Sequence, residues 1–299
     1  MTDVNNRYSV EAHPQFGFFQ VQPTPSPEEI TRFYAEEFYS AKYQAFNNSA
    51  LEVQEADREF HDLHRQDIVD TVERLSGRSL AGQRILDVGC GWGQAMLYFA
   101  AKGADCFGFD PAPEAVDYVR SRGLQCVRAG MDRMDVFGDQ RFDVVTLMNV
   151  LEHLADPVSV MNEIRSKVLS PTGILVIEVP NDFNALQMAG QKLHGLHPWW
   201  VAPPAHLNYF SASSLSRTLD GTGYTVRHVE SSFPIEMFLL MGSNYVADST
   251  RGRAHHESRM AFEMNLRAMG MADKLHELYA ALARLDLGRQ AIAYASMKG

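Results

Sequence analysis

The stretch Ile85-Leu-Asp-Val-Gly-Cys-Gly-Trp-Gly93 joins an apolar run to an acid and then to three glycines. A strand that ends at Asp87 and turns through Gly89 and Gly91 into a helix lets backbone approach a ligand closely, because glycine has no side chain to block it. The spacing discriminates between ligands. A dinucleotide turn reads G-x-G-x-x-G and seats a pyrophosphate on the helix N-terminus. Here the third glycine, Gly93, comes one residue early, and Asp87 would repel a phosphate but could meet an ammonium group. The next apolar run, Phe107-Gly-Phe-Asp110-Pro111, also ends in an acid, and a carboxylate there can accept both hydroxyls of a ribose. Together the two acids describe a ligand with an amino-acid end and a nucleoside end. Further along, His153, His194, His197 and His206 gather in two short stretches. Histidine is the side chain most often used to take a proton near neutral pH.

Such residues need parallel strands to hold them. Between Arg84 and Asn181 short apolar runs alternate with helical stretches, as in parallel strands joined by crossover helices. Strands are expected at 84–88, 106–109, 125–129, 142–148 and 173–179, and helices at 94–102, 113–121 and 157–169. A strand at 224–229 and a last, antiparallel one at 289–296 complete a seven-stranded sheet. The fold class is therefore α/β, a Rossmann-like, doubly wound, mostly parallel sheet. Residues 1–80 are expected to form an N-terminal cap, with a short strand at 16–21 and a helix opened by the capping box Ser26-Pro-Glu-Glu29. Residues 81–299 form the ligand-binding domain, with a helical insertion at about 236–287 before the last strand.

The segment from about Ile85 to Asn181 resembles the core of class I S-adenosylmethionine-dependent methyltransferases. Carried over by position, the resemblance makes Asp87, Gly89 and Gly91 the turn around the methionine moiety of S-adenosylmethionine. It makes Asp110, with Pro111, the ribose site, and Met131 and Asp132 the residues beside the adenine ring. Asn149-Val-Leu-Glu-His-Leu154 is similar to the segment that closes over the cofactor in small-molecule methyltransferases, including the quinone-biosynthetic O-methyltransferases. His-Leu-Asn-Tyr-Phe-Ser, from His206, resembles a further element of that subgroup. This makes His206 the first candidate for general base, with His153 and His197 behind it. Asn181, His197 and Trp199, together with Tyr39 and Tyr43 of the aromatic N-terminal segment, are expected to wall the acceptor pocket, the two tyrosines as part of a lid.

Composition narrows the partners. Hydrophobic residues make up 45% of the 299 and charged residues 21%, the balance of a globular protein. Lysine and arginine number 27 against 37 aspartate and glutamate, a net charge of −10, the wrong sign for nucleic acid or an anionic membrane. No spanning-length apolar run or leader-like start is seen, so a soluble, cytoplasmic protein is expected. Cys90, Cys106 and Cys126 lack any paired ligand spacing, and no metal site is expected. The favoured function is in-line methyl transfer to a small biosynthetic intermediate, at oxygen with a histidine base. Transfer to carbon or nitrogen, a nicotinamide oxidoreductase and a cofactor-binding module without catalysis remain alternatives. The late helical insertion could complete the pocket or form a homodimer interface, and sequence does not separate the two.

Overall fold

Residues 2–4, 7–33, 51–246 and 248–299 are described by the computed structural model of the chain. Along the strand Arg84–Val88, Ile85 packs into one buried cluster while Leu86 and Val88 pack into another on the opposite face, as the two-residue period of a strand dictates. The same alternation recurs where Ile174 and Val176 face one layer and Leu175, Ile177 and Val179 the other. These runs build a sheet buried on both faces.

Numbered in chain order, the strands are β1 (Thr2–Val4), β2 (Tyr8–Ala12), β3 (Phe19–Gln22), β4 (Arg84–Val88), β5 (Asp105–Asp110) and β6 (Gln125–Arg128). They continue as β7 (Phe142–Met148), β8 (Leu169–Pro180), β9 (Asn208–Tyr209), β10 (Tyr224–Ser231) and β11 (Gln290–Met297). Seven form one sheet in the order β10-β11-β8-β7-β4-β5-β6. Strands β4 to β8 pair in parallel, and β11 lies antiparallel between β8 and β10. The seven-stranded, mostly parallel sheet is the expected one, with its final strand inside the sheet rather than at the edge. Because β4 is flanked by β5 on one side and β7 on the other, the order in which strands are added reverses at β4. In a doubly wound sheet that switch point opens a crevice.

The helices Arg58–Ser76, Gln94–Ala101 and Pro113–Ser121 contribute Ile68, Val72, Met96, Phe99, Val116 and Val119 to one face. Pro157–Glu163 and Ala212–Gly221 cover the other, with Val160, Met161, Leu215 and Leu219. Where one helix was expected over 157–169, the regular turn ends at Glu163 and a wider π-type turn spans Ile164–Val168 before β8 begins. The segment between β10 and β11 carries the helices Met237–Leu240, Ser249–Ala268 and Ala272–Arg284. The longest of these has no buried residue; Leu266 and Phe262 give it apolar contacts, and charge pairs add to them. Arg253 donates to both oxygens of buried Asp57 at 2.6 and 2.8 Å, and Arg267 pairs with Asp67.

The N-terminal segment holds more sheet than the one short strand expected at 16–21. The Ser26 capping box forms, but ahead of it β1, β2 and β3 make an antiparallel sheet whose fourth member is β9. Phe19 pairs with Tyr209 and Gln20 with Asn208. Tyr8, Val10, Val21, Trp200, Val201 and Tyr209 form a hydrophobic cluster of their own. Tyr39 and Tyr43 lie outside the described residues. Among the described residues no helix is long and apolar enough to cross a membrane.

Candidate functional site

At the end of β4 the chain turns through Gly89, Gly91 and Gly93, all in the left-handed region with φ of +64°, +50° and +65°. Side chains rarely adopt that backbone, and at Gly89 a Cβ would also lie 2.7 Å from Val150 Cγ2. The Phe109 carbonyl accepts from the Gly89 and Cys90 amides at 2.9 and 3.1 Å, tying the turn to β5. Asp110 completes the joint: one carboxylate oxygen accepts from the Gly91 amide and the other from the Ala112 amide, both at 2.9 Å.

Asp87 and Asp110 are each only 3% exposed. Burial pushes the Asp87 carboxyl up to about 7, with the Asp110 charge adding to it. The Thr146 hydroxyl, donating to Asp87 at 2.6 Å, opposes that shift. Thr146 had no signal of its own in the sequence; the structure places it beside Asp87 through the β4–β7 register. Two buried acids so close together favour a ligand that brings positive charge and hydroxyl donors.

Met131 lies against the turn, its sulfur 3.3 Å from where a Gly89 Cβ would be. Pro111 is half-buried and Asp132 exposed. Asn149 is exposed at the end of β7 with φ of 55°, a conformation uncommon for a residue other than glycine and concentrated at functional sites. From there the chain runs directly into the second half of the site.

That half is built from residues 149–154 and 202–209. Glu152 is 1% exposed and His153 9%. His153 Nδ1 lies 2.7 Å from the Ala205 carbonyl, and the His153 and His206 rings meet edge-on with centroids 4.9 Å apart. Leu207 donates its amide to the Glu152 carbonyl at 2.8 Å, and the Asn208 side-chain amide donates to the Leu154 carbonyl at 2.7 Å. The Tyr209 hydroxyl donates to the His206 carbonyl at 2.9 Å and accepts from the Ala202 amide at 3.1 Å. Glu152 Oε2 and His206 Nδ1 are buried without hydrogen-bond partners. Burial holds the Glu152 carboxyl well above the usual carboxylate range. It pushes His153 down to about 4, and pushes His206, also facing His153 and Arg289, down to about 3. An imidazole of that basicity is neutral at physiological pH and is a weak proton acceptor. This counts against His206 as a simple base.

Other expected residues fall elsewhere. Asn181 is fully buried and spends its side chain on structure: it donates to the Asp286 and Gly288 carbonyls at 3.1 and 3.0 Å and accepts from the Ala212 amide at 3.2 Å. These bonds make it a joint between β8 and the turn before β11. His197 is exposed, and Trp199 packs on Trp200 beside the N-terminal sheet. Beyond β8, and missed in the sequence, are buried Asp182, which burial pushes up to about 6, and Glu236, which accepts from Arg289 at 3.2 Å. Two surface concavities, one around Asp62, Gln66 and Tyr98 and the other along Met188, Lys192 and Leu196, lie away from this chemistry.

A family model described as a methyltransferase domain matches residues 60–229. The ubiquinone biosynthesis O-methyltransferase of Azorhizobium caulinodans is 35% identical over 109 residues, which cover 35% of this chain and 43% of that protein. The protein of the same name from Xanthomonas oryzae pv. oryzae is 33% identical over 151 residues, covering 48% of this chain and 62% of that one. The matches span from 43% to 65% of the length of such curated relatives. Among solved structures, the plantazolicin methyltransferase BamL, in complex with a triazolic desmethylPZN analog and SAH, superposes with a TM-score of 0.54. It is 13% identical and covers 91% of this chain and 95% of its own, a likeness of fold.

Proposed function

This chain belongs to the methyltransferase domain family, and from that premise we propose that it transfers a methyl group from S-adenosylmethionine to a hydroxyl oxygen of a small, aromatic biosynthetic intermediate. The observation that carries the reading is the pair of buried carboxylates, Asp87 and Asp110, on either side of a glycine turn at the switch point of the sheet. When bound, the cofactor supplies an electrophilic methyl group on a sulfonium. The residues present fit it: Asp87 faces the ammonium of the methionine moiety, and Asp110 with Pro111 takes the ribose hydroxyls. Met131 and Asp132 flank the adenine, and Asn149 covers the turn.

The chain's task in such a displacement is to align donor and acceptor and to exclude water. Residues 149–154 touch the glycine turn through Val150 and the 202–209 loop through Glu152, so one short segment links the two halves. The acceptor hydroxyl docks at Glu152, His153 and His206 and loses its proton there. The choice of oxygen and of an aromatic acceptor draws on the named activity of the relatives from Azorhizobium caulinodans and Xanthomonas oryzae.

Two measurements test this. Calorimetry with S-adenosylhomocysteine should give binding that Asp110→Ala weakens at least tenfold, and equal affinity in the variant would remove the cofactor placement. Labelled S-adenosylmethionine offered with phenols, catechols and amines should yield O-methyl products; methyl groups found only on nitrogen or carbon would overturn the oxygen reading.

A further inference from the structure

The cluster at the acceptor end has a composition that proton transfer alone does not explain. Glu152, His153 and His206 each bring one ligand-type atom to within 4.8 Å of the others. Glu152 Oε1 lies 3.8 Å from His153 Nε2. Glu152 Oε2 and His206 Nδ1 have no hydrogen-bond partner, and Glu152 is 1% exposed. Burial favours the neutral form of this carboxyl, and a cation bound beside it would take the place of its proton. The neighbouring Arg289 is engaged by Glu236, and the two imidazoles are held neutral by burial.

We propose that Glu152, His153 and His206 hold a divalent first-row transition-metal ion, with Zn2+ as the type, and leave one position open for the hydroxyl of the acceptor. Two imidazoles and one carboxylate suit Zn2+ and its neighbours, whereas Mg2+ and Ca2+ are taken by oxygen donors. Ligand atoms of a tetrahedral site with bonds of about 2.1 Å lie roughly 3.4 Å apart, so side-chain torsions need to draw these atoms inward by about 1 Å. Around the cluster stands the support that metal ligands use. His153 Nδ1 is held by the Ala205 carbonyl, with the Asn149 carbonyl also against that ring. The His206 backbone is clamped by Tyr209, and the Glu152 carbonyl by the Leu207 amide.

Occupancy of the site is independent of the reaction, but its consequence rests on the oxygen reading above. A hydroxyl at the open position is acidified as metal-bound water is. Its O–H bond breaks, the proton passes to water, and the oxygen keeps the electron pair that attacks the methyl carbon. The carbon–sulfur bond breaks with its electrons staying on sulfur. Alcohol and sulfonium thus become ether, thioether and a proton. The weak basicity of His206 is then no obstacle, because acidity is supplied to the acceptor.

The test uses the tag-free full chain, stripped with chelator and titrated with Zn2+ and, separately, Mg2+. Expected are one Zn2+ per chain, little Mg2+ uptake, and at least tenfold weaker Zn2+ binding in Glu152→Gln and in His206→Asn. Binding of S-adenosylhomocysteine certifies folding, and should Glu152→Gln fail that check, His206→Asn carries the test alone. Stripped wild type that binds S-adenosylhomocysteine but takes up no Zn2+, or variants that bind Zn2+ as tightly as wild type, would overturn the site. O-methylation undiminished by stripping would overturn the metal's role. Zn2+ uptake together with N-methyl products would sink the oxygen reading and leave the metal site standing.

Discussion

Replacing Asp87 by asparagine removes a charge while keeping the shape and an oxygen for the Thr146 hydroxyl, and it should move stability and ligand binding in opposite directions. In the unfolded chain this carboxyl loses its proton near 3.8; in the folded chain burial holds it up to about 7. Between those pH values the folded chain binds the extra proton, so stability falls as pH rises through the window, and the whole penalty is present above about 7. The gap corresponds to roughly 4 kcal/mol as an upper bound. Part of it is retained in Asp87→Asn because the amide is also buried, so a gain of about 2 kcal/mol at pH 8 is expected from denaturant unfolding of the unliganded protein. Ligand binding goes the other way. An ammonium beside Asp87 lowers its pKa, so at pH 6 wild type should release about 0.9 proton on binding S-adenosylhomocysteine, and affinity should weaken about tenfold for each pH unit below 7. Calorimetry in buffers of different ionisation enthalpy reads that proton directly. In Asp87→Asn the release should vanish and affinity at pH 8 should fall by about ten- to a hundredfold. A variant that is no more stable at pH 8, or one that binds as tightly and still releases the proton, would refute the reasoning.

Gly89→Ala places a side chain in left-handed backbone, which costs roughly 1–2 kcal/mol, and drives it into Val150; S-adenosylhomocysteine affinity should drop at least tenfold, and an unchanged calorimetric Kd would show that the turn tolerates the shift. Asp57→Asn breaks the bidentate pairing with Arg253 and the His256 contact at 3.2 Å. A loss of roughly 1–3 kcal/mol in unfolding and faster proteolysis within 249–268 should follow, with cofactor binding kept. Tyr209→Phe frees the His206 carbonyl and the Ala202 amide; turnover should fall several-fold while the S-adenosylhomocysteine Kd stays put, and full turnover would mean the loop is held by other bonds.

The strand ends and glycine turn of the half proposed for the cofactor were legible because their determinants are local. Strand period places Asp87 and Asp110 at strand ends, and the early third glycine is a matter of turn sterics within one segment. The observed bounds of β4 and β7 coincide with those expected. The acceptor half depends on pairings distant in the chain. Strand β9 has two residues and offers no periodicity, yet it pairs with β3, and Gln20 donates to Asn208 across 188 positions at 3.0 Å. Asn181 carried the residue type of a ligand contact, but its role is set by Asp286 and Gly288, more than a hundred residues on. Glu152 stood out only as part of the segment Asn149–Leu154, and it, His153 and His206 became a cluster only once the 202–209 loop was tied down beside that segment.

The division of charge between the two halves has a consequence for where catalysis arises. The net charge of −10 argued against nucleic acid, but inside the crevice what matters is the burial of Asp87 and Asp110 together. On the proposed placement, the ligand charge that Asp87 meets is the ammonium of the methionine moiety, and that charge is the same before and after methyl transfer. Asp87 therefore stabilises donor, transition state and product alike, and uniform binding of that kind lowers KM without raising kcat. The sulfonium, whose charge does disappear, gains nothing from an acid placed at the other end of the amino-acid moiety. Preferential stabilisation of the transition state is left to the side where charge develops on the acceptor oxygen. There the fold supplies two neutral imidazoles and one carboxyl oxygen without a hydrogen-bond partner, held in register by Tyr209 and Asn208, a constellation that on the proposed reading acts on the acceptor oxygen rather than on the methyl donor.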